Sequence, residues 1–261
     1  MDQTLKGAAG LATRAVSVRA GTRELVSALS LAFVRGEVIA ILGRNGSGKT
    51  LTLHTLAGLR PPAGGEVELG GAPIAGLSRR AVALQLGLLP QDLEDAFVTT
   101  VIETVLIGRH PHLALWQWEG AHDEQLAREA LAAVDMAGFA ARRTDTLSGG
   151  EQRRVAVAAL LAQQVHTYLL DEPTNHLDPH HQLAVLTLFR GLADRGATVV
   201  TTLHDPTLAA RFADRVLLLF GDGRWTLGPV ATTLSAASLS ELYTTPMLEL
   251  GADGRRVFVT A

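Results

Sequence analysis

The sequence contains no cysteine, and this absence excludes disulfide bonds, thiolate metal sites and cysteine nucleophiles. Aromatic residues make up only 5% of the chain while hydrophobic residues reach 47%, so we expect a core of small and aliphatic side chains. No uninterrupted apolar run approaches the length of about 18 residues that a membrane-spanning helix needs. The N-terminus shows no basic start followed by an apolar run, so we expect no signal peptide.

The charge balance also lacks a surplus of either sign. The 23 basic residues (Lys and Arg) face 26 acidic ones, which gives a formal net charge of −3. Proteins that bind nucleic acid phosphates usually carry a basic surplus. We therefore expect no nucleic-acid partner. The 261 residues suffice for one large domain or two modest ones.

The apolar pattern predicts strands alternating with helices at both ends of the chain. The β-branched run at 38–43 is typical of a buried parallel strand. From about residue 96 to 163 helical spacing prevails, and then strands return. This order predicts an α/β fold with a parallel sheet. The other predicted strands are 13–20, 25–34, 66–69, 86–92, 166–172, 197–205 and 215–220, the predicted helices include 78–85, 179–194 and 206–213, and a strand–helix–strand unit follows from 223.

The stretch GRNGSGKT has the pattern G-x-x-x-x-G-K-[ST] between a predicted strand and a predicted helix. Its glycines allow backbone N–H groups to surround phosphate oxygens, and the helix N-terminus adds a favourable field. Lys49 can reach the outer phosphates, and the Thr50 hydroxyl can bind Mg²⁺. A chance glycine turn is the alternative, which the strand–loop–helix context disfavours. The predicted phosphate-binding residues are Gly43, Arg44, Asn45, Gly46, Ser47, Gly48, Lys49 and Thr50.

Two carboxylates follow the predicted buried strand at 166–172. Asp171 is placed to hold Mg²⁺, directly or through water, and Glu172 comes next. A carboxylate at this position can accept a proton from an attacking water, which contributes about 10²–10⁴ in rate. A solvated acidic pair at a strand end is the alternative interpretation.

A second glycine motif, LSGGE, begins another predicted helix. Ser148 is a good N-cap, and Gly149 and Gly150 allow a bulky group to approach closely. The physical reading is an anion site of unknown anion, and the alternative is an ordinary serine-capped helix.

Five stretches in a fixed order resemble the ATP-binding subunits of ABC transporters: GRNGSGKT, PQD, LSGGEQRR, YLLDEPTNHLD and TLHD. The resemblance covers roughly residues 13–230. It implies a P-loop NTPase core with a mostly parallel sheet, an N-terminal antiparallel β subdomain and an inserted helical subdomain. It also implies ATP and Mg²⁺ as cofactors, and a two-fold dimer of two copies. In that dimer the phosphate loop of one copy faces Ser148, Gly149 and Gly150 of the other.

The resemblance assigns roles to three further residues. It implies that Gln91 contacts Mg²⁺ and the attacking water, so that Thr50, Gln91 and Asp171 form the metal set. His204 would hold the γ-phosphate and steady Glu172. Asp178 would contact the partner copy, and Asp178-Pro179 also has the pattern of a helix cap followed by proline.

One feature departs from the family, because no aromatic residue lies near 18–21 to stack on adenine. Arg19 is the alternative neighbour of the base. Outside the five stretches we interpret His110, His112, Trp116 and Trp118 as local packing residues. A metal site made of His176, His180 and His181 is disfavoured, because neighbouring residues project to different sides of a helix. We expect the Arg153-Arg154 pair to form a solvated or interface face.

We expect a single ABC ATPase domain over 1–261. It would comprise a nucleotide-binding core at about 13–95 and 164–230, a helical subdomain at 96–163 and a C-terminal extension at 231–261.

The resemblance is strongest to subunits that serve iron–siderophore, haem and cobalamin import, with haem as the favoured cargo. It implies a separate polytopic permease, expected in two copies, at the cytoplasmic face of the inner membrane, and indirectly a periplasmic or extracellular substrate-binding protein. The alternatives are a soluble ABC ATPase acting on ribosomes or DNA, and the ATPase of an exporter.

Overall fold

Six strands form the central sheet of the computed structural model, which describes residues 9–92, 99–114, 116–252 and 255–261. Five of these strands run parallel, and the strand at one edge pairs antiparallel with its neighbour. Three of the parallel strands, Val38–Leu42, Thr167–Leu170 and Thr198–Thr202, are buried along their whole length, as expected for strands covered on both faces. In order across the sheet the strands are β10 (Trp225–Pro229), β9 (Arg215–Leu219), β3 (Val38–Leu42), β8 (Thr198–Thr202), β7 (Thr167–Leu170) and β6 (Leu86–Leu89).

A second, antiparallel sheet covers one side of the central sheet. Its strands, in order, are β2 (Arg23–Val34), β1 (Ala9–Ala20), β4 (Gly64–Leu69) and β5 (Ala72–Pro73). Leu11 and Phe33 of this sheet share a buried cluster with Ile41 of β3 and with Leu53 of helix α1 (Lys49–Leu56). The α1 helix is therefore held between the two sheets, which fixes the loop that precedes it.

Three helices of the middle region, α3 (Val101–Leu106), α4 (Ala121–Ala132) and α5 (Gly149–Ala162), pack against one another. Their core is continuous with the central sheet, because Leu131 and Val157 belong to the same buried cluster as Tyr168 of β7. The predicted helical subdomain at 96–163 is thus helical from residue 101, while residues 96–98 lie outside the described ranges. Helix α2 (Arg79–Ala83) precedes β6, and α6 (Pro179–Asp194) and α7 (Pro206–Phe212) connect the later strands.

The C-terminal region contains more elements than the predicted strand–helix–strand unit. After β10 come two helices, α8 (Val230–Thr233) and α9 (Ala236–Tyr243), and an antiparallel pair, β11 (Met247–Ala252) with β12 (Arg255–Thr260). Short apolar stretches in both halves, Met247-Leu248 and Val257-Phe258-Val259, allow two strands to pair where the prediction had one. Phe258 packs in a cluster with Leu239 of α9 and Phe212 of α7.

These elements confirm the predicted fold class, a mostly parallel α/β core with an antiparallel β sheet and an inserted group of helices. None of the helices within the described ranges is both long and apolar enough to cross a membrane.

Candidate nucleotide site

The carboxyl ends of the parallel strands bring the predicted residues together. Gly43 follows β3, Gln91 follows β6, Glu172 follows β7 and His204 follows β8. Loops that leave one edge of a parallel sheet form the usual crevice for ligands. Here they surround a pocket of about 370 Å³. Its lining consists of Ala20, Leu25, Arg44, Asn45, Gly46, Gly48, Lys49, Thr50, Leu51, Gln91, Glu172 and His204.

The loop between β3 and α1 requires its glycines. Gly46 and Gly48 have φ angles of 74° and 100°, a region that side chains disfavour. At Gly43 an added Cβ would lie 2.4 Å from Ser47 Oγ and 2.6 Å from the carbonyl oxygen of Leu219, so only glycine fits. Within the described structure no side chain caps α1, whose N-cap is Gly48. The first N–H groups of this helix therefore face the pocket without competition from a side chain.

The Lys49 ammonium group is buried against the same loop. Its Nζ donates to the carbonyl oxygen of Gly43 at 2.9 Å and to that of Arg44 at 3.4 Å. Burial lowers the pKa of Lys49 below its ordinary value, and the negative charges of Glu172 and Asp171 oppose this shift only in part. A phosphate group beside this ammonium would favour its charged form.

The Thr202 hydroxyl orients the Asp171 carboxylate and the Glu172 backbone, which follow β7. Thr202 Oγ1 donates to Asp171 Oδ1 at 2.7 Å and accepts from the backbone N–H of Glu172 at 2.8 Å. The side chain of Asp171 is fully buried, and its Oδ2 atom has no hydrogen-bond partner among the described residues. A buried carboxylate oxygen without a donor is suited to a cation.

The Glu172 carboxylate is held at both of its oxygens. Its Oε1 lies 2.5 Å from His204 Nε2, and its Oε2 accepts from Asn175 Nδ2 at 2.5 Å. The Glu172 backbone has a φ angle of 48°, a left-handed conformation that is uncommon outside glycine. This arrangement aims a buried carboxylate into the pocket.

Gln91 is brought close to the phosphate loop. Thr50 Oγ1 donates to Gln91 Oε1 at 3.5 Å. Together with the free oxygen of Asp171, these groups offer oxygen ligands of the kind that Mg²⁺ prefers. These residue types fit Mg²⁺, although Asp171 is buried and does not itself line the pocket, and the role of each residue stays a prediction.

The second glycine motif forms the start of α5, outside the pocket just described. Ser148 Oγ accepts from the N–H of Glu151 at 3.3 Å, and Glu151 Oε2 accepts from the N–H of Ser148 at 2.7 Å. This capping box satisfies two donors at the helix start. Gly150 lies against the loop after β7, since an added Cβ would approach the carbonyl oxygen of His176 to 3.1 Å. The Ser148 side chain also bonds to the Glu151 carboxylate, while Ser148 and Gly149 stay exposed at the helix start.

Asp178 caps helix α6, as its sequence pattern predicts. Its side chain accepts from the N–H of His181 and also pairs with His181 Nδ1 at 2.8 Å. The cap is confirmed, and a contact with a partner copy stays a prediction. In the described ranges no group of three or more His, Cys, Asp or Glu side chains is arranged to hold a metal ion.

One part of the pocket wall is aliphatic. Ala20 and Leu25 line it, and no aromatic residue of the described chain does. Arg19, the alternative neighbour of adenine, does not line the pocket, and its guanidinium group lies 3.8 Å from Glu24.

Two interpretations of residues outside the pocket are wrong in part, for Trp116 and Trp118 and for Arg153 of the Arg153-Arg154 pair. His110 and His112 make packing contacts, with Glu119 Oε1 at 3.1 Å and the carbonyl oxygen of Gln163 at 2.8 Å. Trp116 and Trp118, however, are 92% and 86% exposed, so they are not packing residues. They lie in the connection that precedes α4.

Arg153 corrects the second interpretation, because it is only 2% exposed and not solvated. It lies on the buried face of α5 with Val157 and Leu160, at a spacing of four and then three residues. That spacing is the signal that could have shown its burial. Two further site residues, Thr202 and Asn175, have no signal among the sequence motifs. Thr202 ends β8, the strand that pairs with β7 before Asp171.

Comparisons with known proteins agree with this geometry. Residues 26–175 match the ABC transporter family. Proteins named hemin import ATP-binding protein from Gloeobacter violaceus and Thermobifida fusca are 44% and 38% identical, over 78% and 93% of this chain and 76% and 84% of theirs. The corresponding protein of Streptomyces coelicolor is 41% identical over 88% of this chain and 81% of its own.

Two solved structures show the same architecture. One is described as an inward-facing ABC transporter of the metal-chelate type; it is 28% identical, covers 97% of both chains and superposes with a TM-score of 0.84. The other, a bacterial ABC transporter cassette solved as a dimer, is 26% identical over 84% of this chain and 98% of its own, with a TM-score of 0.74. The chain therefore belongs to the ABC transporter family, as one of its ATP-binding and ATP-hydrolysing subunits.

Proposed function

We propose that the chain hydrolyses ATP to drive import of haem, or of a related iron chelate, through a separate membrane permease. The observation that carries the chemical part is the convergence of Lys49, Glu172 and His204 on one pocket at the carboxyl ends of the sheet. The relatives named for hemin import, aligned over most of their lengths, support the cargo.

In the proposed reaction the triphosphate lies along the phosphate loop, with Lys49 beside its outer phosphates. Glu172 takes a proton from a water molecule, the water oxygen bonds to the γ-phosphorus, and the bond to the β–γ bridging oxygen breaks to release ADP and phosphate. His204 would steady Glu172 from one side and donate to the γ-phosphate. His204 and Asn175 hold the two oxygens of Glu172, and each oxygen keeps a second lone pair, so the carboxylate can accept a proton while it stays held in place.

Mg²⁺ would be held by Thr50, by Gln91 and by Asp171, whose buried Oδ2 has no partner in the described structure. When bound, the ion supplies positive charge to the phosphate oxygens. Orientation by Thr202 and burial of Asp171 keep this carboxylate available as a ligand.

We propose that the active form contains two copies of the chain. The start of α5 does not line the pocket of its own chain, and Ser148 and Gly149 are exposed there. In a two-fold dimer Ser148, Gly149 and Gly150 of one copy would complete the phosphate site of the other, and Asp178 would cross the interface. The related cassette solved as a dimer supports this arrangement.

Mixing two inactive variants tests the shared site. Lys49→Ala removes the phosphate-loop cation, and Ser148→Arg blocks the start of α5. Each variant alone should be inactive, whereas an equal mixture should recover about a quarter of wild-type hydrolysis, because half of the dimers then contain one intact site of two. Absence of recovery, with both variants folded and shown to mix by a tag-exchange pull-down, contradicts the shared site.

A groove beside the site is suited to the permease. It has a volume of about 580 Å³ and lies between the end of β6 and helices α3 and α5, with Leu89, Ile107 and Ala159 in its wall. Asp92, next to Gln91, also lines it, so a segment bound there would adjoin the metal-binding edge of the pocket. We propose that a cytoplasmic segment of the permease binds here and places the chain at the cytoplasmic face of the membrane.

Reconstitution tests the cargo. The chain should co-purify with a polytopic membrane protein, and vesicles that contain the complex, with its substrate-binding protein on the opposite side, should accumulate haem on ATP addition. Ferric siderophore and cobalamin serve as matched alternatives. Uptake of one of these instead replaces the cargo, and failure of the chain to co-purify with any membrane protein supports the soluble alternative.

A further inference from the structure

The buried Arg153 side chain makes an unusual set of contacts. Its guanidinium group donates only to main-chain carbonyl oxygens in the described structure, at distances between 2.5 and 3.5 Å. The acceptors belong to two chain segments that follow neighbouring strands, β6 and β7. They are Pro90 and Gln91 after β6, and Asp171, Glu172 and Pro173 after β7.

These contacts begin where pairing within the sheet stops. The last ladder bond between the two strands runs from the N–H of Asp171 to the carbonyl oxygen of Leu89, at 2.9 Å. Beyond it the two segments diverge. The planar guanidinium carries several donors in a rigid fork, so one side chain can hold both segments. Arg153 thus replaces the missing ladder bonds at the point where the chain presents Gln91 and Glu172.

The arginine is expensive to bury, which argues against a packing role alone. Burial lowers its pKa to about 10, although Asp171, Glu172 and Asp92 favour its charge. It therefore stays charged at neutral pH. An apolar side chain of similar length could fill the same space without this penalty. The cost is offset by these nearby carboxylates and by the five carbonyl oxygens to which the guanidinium donates.

We propose that Arg153 is a positioning residue for hydrolysis: it locks the backbone of Gln91 and Glu172 to helix α5. Ser148, which begins α5, lies about 7.5 Å along the helix axis from Arg153. When a triphosphate draws Ser148 into place, the same rigid helix sets the two segments that carry Gln91 and Glu172. This inference rests on the proposed function of those two residues. It adds the side chain that couples them to the start of α5 at Ser148.

The neighbouring arginine provides a matched control. Arg154 also donates to two carbonyl oxygens, those of Val134 and Asp135 at 3.2 and 3.3 Å, but these lie among the middle helices, remote in sequence from the site. Arg153→Lys keeps the charge and loses the fork, and Arg154→Lys makes the same change one position away. Arg153→Met removes the charge as well.

We expect Arg153→Lys to lower kcat by about 10- to 100-fold, the usual effect of a small misplacement of catalytic groups. The KM for ATP should stay within about twofold, and Arg154→Lys should change neither constant by more than that. If Arg153 acts through Gln91, its effect should not add to that of Gln91→Ala, so the double variant should be no slower than the slower single variant. Equal kinetics for the two lysine variants, or full additivity with Gln91→Ala, overturns the proposal.

Amide hydrogen exchange gives a reading that does not depend on turnover. In Arg153→Lys the N–H groups of Asp171 and Glu172 should exchange faster, together with those near Gln91, and in Arg154→Lys they should not. Unchanged exchange in both variants also overturns the proposal. A wild-type chain without ATPase activity would instead contradict the proposed function, and the exchange comparison would still decide the role of Arg153.

Discussion

Two helices of this chain begin with glycine-rich segments, yet only one of them starts uncapped. The start of α1 follows Gly48 and has no capping side chain in the described structure, whereas the start of α5 is closed by the reciprocal bonds of Ser148 and Glu151. Phosphate binding at α1 therefore displaces no side-chain cap. At α5 the capping box already satisfies part of the donors, and the exposed surface of Ser148 and Gly149 remains to meet an anion. The difference supports the proposal that one chain binds the nucleotide at α1 and that a second copy contributes the start of α5.

The largest expected effect separates binding from chemistry at the α1 side. Glu172→Gln should leave the Kd for ATP within about twofold and reduce kcat by about 10²–10⁴, because the amide cannot accept a proton from water. Equilibrium binding and single-turnover hydrolysis measure the two effects, and size-exclusion chromatography should show an ATP-stabilised dimer. Normal turnover in this variant removes the general base from the mechanism.

A smaller effect is expected from a charge placed at α5. Ser148→Asp keeps a good N-cap but adds a negative charge where the triphosphate of the partner copy would lie, so hydrolysis should fall by about 100-fold. Ser148→Asn caps the helix equally well without a charge and should lose far less. ATP binding to the monomer should be unaffected in both. If the two variants lose the same activity, no anion meets this helix.

The pH dependence of ATP binding isolates the α1 side. Because burial lowers the pKa of Lys49 and a bound triphosphate favours the ammonium, ATP binding should take up a proton in alkaline solution. Affinity should therefore weaken as pH rises, by up to about tenfold between about pH 7 and pH 10. Lys49→Arg stays charged over this range, and its affinity should hardly change. A flat profile in the wild-type chain argues that the lysine is charged throughout.

The smallest effect concerns Glu151. Its pKa is lowered chiefly by the hydrogen bond from the N–H of Ser148, so it is ionised at neutral pH and places a negative charge in the first turn of α5. Glu151→Gln can keep the capping box while removing that charge, and ATP-driven dimerisation should tighten by up to about fivefold. Analytical ultracentrifugation with ATP in a Glu172→Gln background measures this, and weaker dimerisation would show that the charge assists assembly.

Most of the fold follows from patterns visible in the sequence. Helix α6 begins and ends at the predicted residues, because Asp178-Pro179 is a strong start signal. Predicted strand ends were less accurate: the strand expected at 166–172 spans Thr167–Leu170, since the carbonyl oxygens of Asp171 and Glu172 bond to Arg153 and not to a neighbouring strand. A contact of that kind depends on distant chain segments, and local periodicity does not contain it.

The site was predictable as a set of motifs but not as a network. The sequence order placed Lys49, Asp171, Glu172 and His204 correctly at one edge of the sheet. The bonds that orient them come from Thr202 and Asn175, whose partners depend on strand order and loop conformation. Arg153 is buried and Arg154 is not, because consecutive helix positions point in different directions, and the pair of identical residues did not show this difference.

The left-handed backbone of Glu172 lowers the stability of the fold at a residue that hydrolysis requires in the proposed mechanism. A residue with a side chain held at a φ angle of 48° stores conformational strain of about 1 kcal/mol or more, and glycine would relieve it. Glu172→Gly should therefore be inactive and yet melt no lower than the wild type, in spite of losing its bonds to His204 and Asn175. A higher melting temperature in this inactive variant would show that Glu172 lowers the stability of the folded chain in exchange for catalytic activity.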